Sequence, residues 1–111
     1  MAEIVYEIHV PLVAPADIPE SEYDFPWING VEDFVKELGD PQVEWFDAGL
    51  VWENNAGDPE YLFFICGPSD TALLKASVSI SNLPEVPIGV YALRGDEDTV
   101  LGAGERVALR R

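Results

Sequence analysis

The sequence predicts one α+β domain, ordered β-α-β-β-α-β, in which two helices cover one face of a four-stranded antiparallel sheet. Three observations carry that expectation. Six apolar or aromatic residues in a row, 61–66, close on Gly67-Pro68 and read as a central strand buried on both faces. Two stretches of helical spacing, one beginning at Trp27 and one after Ser69, each follow a strand-like segment. Between Trp52 and Tyr61, the run Asn54-Asn55-Ala56-Gly57-Asp58-Pro59 supplies the turn of a hairpin.

Taken in order, Ile4, Tyr6, Ile8 and Val10 alternate with Glu3, Val5, Glu7 and His9, the period-two pattern of a strand with one dry and one partly wet face. Pro11 ends it. Residues 11–26 form a long acidic loop, because Pro11, Pro15, Pro19 and Pro26 forbid a regular helix or an interior strand. At its end the carboxylates Glu20, Glu22 and Asp24 interleave with the rings of Tyr23, Phe25 and Trp27. An extended course there sends acids to one side and rings to the other.

Trp27, Ile28, Val31, Phe34, Val35 and Leu38 then line one face of a helix that Gly39 terminates, with Asp24 and Asn29 both open as N-caps. Residues 43–52 are rich in β-branched and aromatic side chains and make the first strand of the hairpin. Ser69 caps a second helix, and Leu73, Ala76, Ser77, Ile80 and Leu83 mark its apolar stripe as far as Pro84. Residues 88–94 read as the fourth strand. A C-terminal tail, 95–111, passes Asp96-Glu97-Asp98 and Gly102-Ala103-Gly104 and ends with an optional short edge strand at 106–109.

This order is that of the ferredoxin-like, split-βαβ arrangement, in which right-handed crossovers make the first and third strands central. A chain of 111 residues fits a single domain, 1–111, with one core. The fold brings no activity with it.

The formal net charge is −15, from 21 acidic and 6 basic residues, which argues against a nucleic-acid backbone or an anionic membrane as partner. Residues 1–60 hold 15 carboxylates and one cation, and residues 61–111 hold 6 and 5, so the acidity belongs to the first half. Cys66 is the only cysteine and sits in the most apolar run, which excludes a disulfide framework and fits a reducing, cytoplasmic setting. No apolar run approaches the length a bilayer requires.

No cofactor or metal is expected. A single histidine, His9, and a single cysteine cannot build a zinc site of the usual kind, and His9 is read as a surface side chain. Asp96-Glu97-Asp98 lacks the alternating ligands of a calcium loop, and Gly102-Ala103-Gly104 lacks the third glycine of a phosphate fingerprint. Trp45, Tyr61, Phe63 and Tyr91 offer an aromatic set for the uncovered sheet face beside Glu7 and Asp47. An aromatic centre with an acidic rim suits a protein interface better than RNA.

The sequence therefore points to a small acidic, non-enzymatic domain that binds a basic protein partner. It would act as an inhibitor, an immunity-like antidote or an adaptor that occludes a cationic surface. The partner-binding residues on this reading are Glu20, Glu22, Tyr23, Asp24, Trp27, Trp45 and Asp47. The alternative is a ferredoxin-like small-molecule module, or an α+β-barrel enzyme made by two copies through the sheet face, which a ligand pocket lined by Trp45, Phe63 or Tyr91 would favour. A third reading ascribes the acidity to a salty habitat.

Overall fold

The computed structural model describes residues 3–14, 16–53, 56–84, 86–96, 98–99, 102–107 and 109, the side chains of residues 20, 46, 47, 48 and 50 excepted. Its elements are β1 (Ile4–Pro11), a 3-10 turn (Glu20–Glu22), α1 (Trp27–Glu37), β2 (Glu44–Glu53), β3 (Pro59–Gly67), α2 (Asp70–Ser81), β4 (Tyr91–Asp96) and β5 (Glu105–Val107). The protein is α+β, with two α-helices and one sheet in the order β2-β3-β1-β4-β5, every neighbouring pair antiparallel. The sheet thus has five strands where four were expected, the fifth lying within a residue of the optional edge strand.

The central place of β3 follows from its composition: Leu62, Phe63 and Ile65 are fully buried, and only a strand covered on both faces can hold such a run. β1 pairs with it from Ile4 opposite Gly67 to Pro11 opposite Glu60. Tyr6, Ile8 and Val10 of β1, Phe63 and Ile65 of β3 and Ala92 of β4 form one cluster with Trp27, Val31 and Val35 of α1 and Leu73, Ala76 and Ile80 of α2. Both helices therefore lie on the same face. Burying a side chain such as Leu73 or Ile80 contributes about 1.5–3 kcal/mol each.

Helix α2 begins where its sequence says, with Ser69 Oγ accepting from the Ala72 amide. Helix α1 does not use Asp24 or Asn29; Pro26 occupies the cap position and no side chain caps the helix there. Gly39 follows it in the left-handed region, φ +66°, as a terminating glycine does. The fourth strand starts three residues later than expected. Gly89 has φ +102° and Ile88 is 90 % exposed, so the chain is still turning there and joins the sheet only at Tyr91.

Residues 20–27 are not extended. The 3-10 turn at Glu20–Glu22 and a positive φ of 49° at Phe25 bend the segment. Its rings nevertheless run inward in a chain of edge contacts, with centroids 4.8 Å apart for Tyr23 and Phe25, 6.1 Å for Phe25 and Trp27, and 6.2 Å for Trp27 and Phe63. They pin the loop to the core.

Candidate functional site

The second face of the sheet carries Val5, Glu7 and His9 of β1, Glu60 and Leu62 of β3, Tyr91 and Leu93 of β4 and, by register, Arg106 of β5. The expectation that this face is partly wet fails at its centre. Glu7, His9 and Glu60 are buried as deeply as the hydrophobic core, and His9 is not a surface side chain. What shields them comes from the tail and the hairpin. The Gly102 amide donates to Glu7 Oε1 at 3.1 Å and Oε2 at 3.4 Å. Gly102 in turn lies against the Trp52 ring, so closely that a Cβ there would stand 2.9 Å from it.

His9 is held from both sides. Its Nδ1 lies 3.0 Å from Glu60 Oε1 and its Nε2 lies 3.3 Å from Glu7 Oε1. A neutral imidazole has one N–H, so satisfying both contacts takes a second proton within the cluster, on the ring or on a carboxyl group. The Tyr91 hydroxyl donates to the same Glu60 Oε1 at 2.7 Å, and its ring stacks on His9 with centroids 4.6 Å apart and planes 15° from parallel. Burial, then the hydrogen bond to Glu60, pushes the Tyr91 hydroxyl well above the ordinary tyrosine value, which keeps it a donor throughout the physiological range. Trp52 meets His9 edge-on at 6.4 Å, and the Arg106 guanidinium sits 4.2 Å above the Tyr91 ring.

A cavity of about 450 Å³ opens beside this cluster, with His9, Trp52, Glu60, Tyr91, Gly102 and Arg106 in its wall. Two carboxylates and an imidazole taken out of water cost several kcal/mol per ion, which their pairing offsets only with good geometry. Such groups beside a cavity are what a binding or acid–base site is built from.

The residues singled out from the sequence do not assemble there. Trp27 is core, with 2 % exposure, and presents no surface to a partner. Trp45 is half-buried and pairs in register with Ile65 on the helix-covered face, 5.9 Å from the ring of Phe63. Tyr61 and Phe63 belong to that face too, so of the aromatic set only Tyr91 reaches the other. Glu22 and Asp24 are exposed and Tyr23 is half-buried, whereas the side chains of Glu20 and Asp47 lie outside the described residues. The backbone of Asp47 aligns with Phe64. Conversely, Glu7, Glu60, Trp52 and Arg106 went unselected. The available signal was a glutamate and the only histidine at period two in an otherwise apolar strand.

Two further polar groups are structural. Tyr6 donates to Asp70 Oδ1 at 2.6 Å, and Arg94 bridges Asp70 and Glu105 at 3.0 and 2.8 Å, tying α2 to β1, β4 and β5. Glu3, Glu44 and Cys66 bring one oxygen each and a sulfur within 4.8 Å of one another. Burial and the hydrogen bond to Glu3 push the Cys66 thiol up to about 11, so it stays protonated at neutral pH and is a poor nucleophile. Among the described residues no helix is long and apolar enough to cross a membrane.

Comparison of the chain with protein-family models, with curated proteins and with solved structures gives no match.

Proposed function

We propose that the protein binds a small polar molecule on the face of the sheet away from the helices, with Glu60, His9 and Tyr91 as the floor of the site and Trp52 and Arg106 as its walls. The observation that carries this is the cavity of about 450 Å³ beside a buried Glu7–His9–Glu60 cluster, in a sheet whose other buried side chains, among the described residues, are apolar. The strand order 2-3-1-4, with both helices on one face, supports a ferredoxin-like split-βαβ module extended by a fifth strand. Glu60 and Tyr91 supply a hydrogen-bond acceptor and a hydroxyl donor at the cavity wall for a polar ligand.

The test is a screen of fragments of mixed charge against the whole chain, read from the Trp52 indole N–H and the Gly102 amide by NMR. Fragments that move both signals, and lose affinity in Trp52→Ala, support the site. A screen in which no fragment moves either signal retires it.

A second reading keeps the acidic loop as a recognition element for a basic protein. Its support is that Glu22 and Asp24 stand exposed beside rings that fix the segment to the core. Neutralising Glu20, Glu22 and Asp24 together should then lower the affinity of a retained basic partner and flatten its salt dependence. Unchanged capture at both low and physiological salt counts against this reading.

A further inference from the structure

We propose that the molecule taken up beside Glu60 is a small carboxylic acid that also bears a hydrogen-bond donor, with the carboxylate held by Arg106 and the donor directed to Glu60. This rests on the small-molecule reading above and assigns its ligand class.

Arg106 is the first reason. The chain has 21 carboxylates for 6 basic residues, and of the cations in the described residues Lys36 pairs with Glu32 at 2.8 Å and Arg94 with Asp70 and Glu105, while Lys75 stands exposed on α2, away from the cavity wall. Arg106 sits in the cavity wall and, among the described residues, pairs with no carboxylate; its contact is the face of Tyr91. With its Cζ 4.2 Å above that ring, the guanidinium keeps N–H donors that can grip a carboxylate in the cavity through two parallel hydrogen bonds.

The floor has the reverse character. Glu60 is a buried acceptor whose Oε1 already takes hydrogen bonds from Tyr91 and His9. A second anion brought against it would be repelled at short range, so the ligand's acid cannot lie at that end. A hydroxyl or amine can. A phosphate is less suited than a carboxylate, because phosphate sites draw on backbone N–H groups and that of Gly102 in the cavity wall is already engaged by Glu7.

The experiment is an NMR titration of the whole chain with three probes that share a ring: 4-hydroxybenzoate, its neutral amide 4-hydroxybenzamide, and the cationic tyramine. The acid should shift the Trp52 indole N–H and the Gly102 amide and bind about tenfold or more tightly than the amide. Arg106→Gln should remove that preference while leaving amide binding in place, and its thermal midpoint tells whether the variant remains folded. Should acid and amide bind equally in the wild-type chain, or tyramine bind best, with the same two signals moving, the ligand class is overturned and the cavity reading stands. If none of the three moves either signal while fragments of other shapes do, the class is again wrong. If nothing of any charge does, the binding reading falls with it.

Discussion

His9 and Glu60 face each other across the two central strands, Nδ1 to Oε1 at 3.0 Å, with neither side chain open to water. With Glu7 at 3.3 Å from the other ring nitrogen, the imidazole is the group that makes two buried carboxylates tolerable. Replacing it by an apolar ring, His9→Phe, should cost about 3–5 kcal/mol, because both carboxylates stay buried and lose the imidazole between them. Stability of such a domain is about 5–15 kcal/mol, so the loss is large. Replacing all three residues together, as Glu7→Leu, His9→Phe and Glu60→Leu, should recover much of it and abolish ligand binding. Urea midpoints decide the matter. A loss below about 1 kcal/mol for His9→Phe means that the pairing does not govern the stability of this face.

The sheet and its helices were legible in the sequence, and the site was not, for reasons that lie in particular residues. Period-two alternation locates β1, helical spacing α1 and a continuous apolar run β3, whereas Val78 and several serines interrupt the stripe of α2, which Ser69 marks by a cap that forms. Strand β2 defeats simple alternation. Register shifts between Trp45 and Asp47 and between Ala48 and Leu50, with Gly49 at φ +97°, turn Trp45 toward the helices and still leave Trp52 in the wall of the cavity. Counting by twos puts Trp45 and Asp47 on one face, and the bulge separates their positions. His9 reads as a surface residue because nothing local reveals that Gly102, 93 positions later, folds back to shield its neighbour Glu7. Long-range closure of this kind leaves no periodic trace.

Gly102 has φ +80° and its Cα rests against the Trp52 ring. Gly102→Ala forces a side chain into the left-handed region and into that ring, at a cost of about 1–3 kcal/mol. Displacing Trp52 should also change the near-ultraviolet circular dichroism and weaken any ligand that contacts the indole. Unaltered spectra and midpoint would show that the tail does not close over the sheet in solution.

The Asp70 carboxyl is held below its ordinary value by the Tyr6 hydroxyl and then by Arg94. A carboxylate whose folded pKa is depressed adds stability that is fully present above about pH 4 and is lost as the pH falls through the folded value. The unfolding midpoint should therefore drop on acidification below pH 4, and Asp70→Asn should remove part of that slope. Because the Asp70 side chain is 42 % exposed, the effect is modest. Tyr6, pushed up to about 12 by burial and the Asp70 contact, works in the opposite direction, adding stability below about pH 10 that disappears toward pH 12. Tyr6→Phe should cost about 1 kcal/mol at neutral pH. An identical acid limb in Asp70→Asn and wild type would contradict the assignment.

Cys66 is buried and its thiol is pushed up to about 11, by burial first and Glu3 second. Thiolate, not thiol, attacks disulfide reagents, so the native protein should react with an aromatic disulfide at pH 8 only as fast as it opens. Added urea should raise the rate in parallel with the unfolded fraction. A fast reaction in the native state would place the sulfur at the surface.

Gly30 lies in the interior of α1, outside the left-handed region, and a methyl group added to it meets no heavy atom within 4 Å. Glycine in such a position weakens a helix through the backbone freedom it keeps when unfolded, and nothing nearby requires its small size. Gly30→Ala should therefore stabilise the protein by about 0.5–1 kcal/mol. The residue also borders an apolar hollow of about 300 Å³ between the start of α1 and the chain after α2, lined by Trp27, Leu83, Pro84 and Val86. A methyl group there reaches none of these side chains, so the expected gain is the entropic one. The substitution lies on the helix-covered side, away from the Glu7–His9–Glu60 cluster, and ligand binding should not change. Thermal midpoint and probe affinity measured on one sample separate the two statements. A lower midpoint would mean that α1 does not follow a regular helical course at Gly30, and an altered affinity would mean that the two faces of the sheet are coupled.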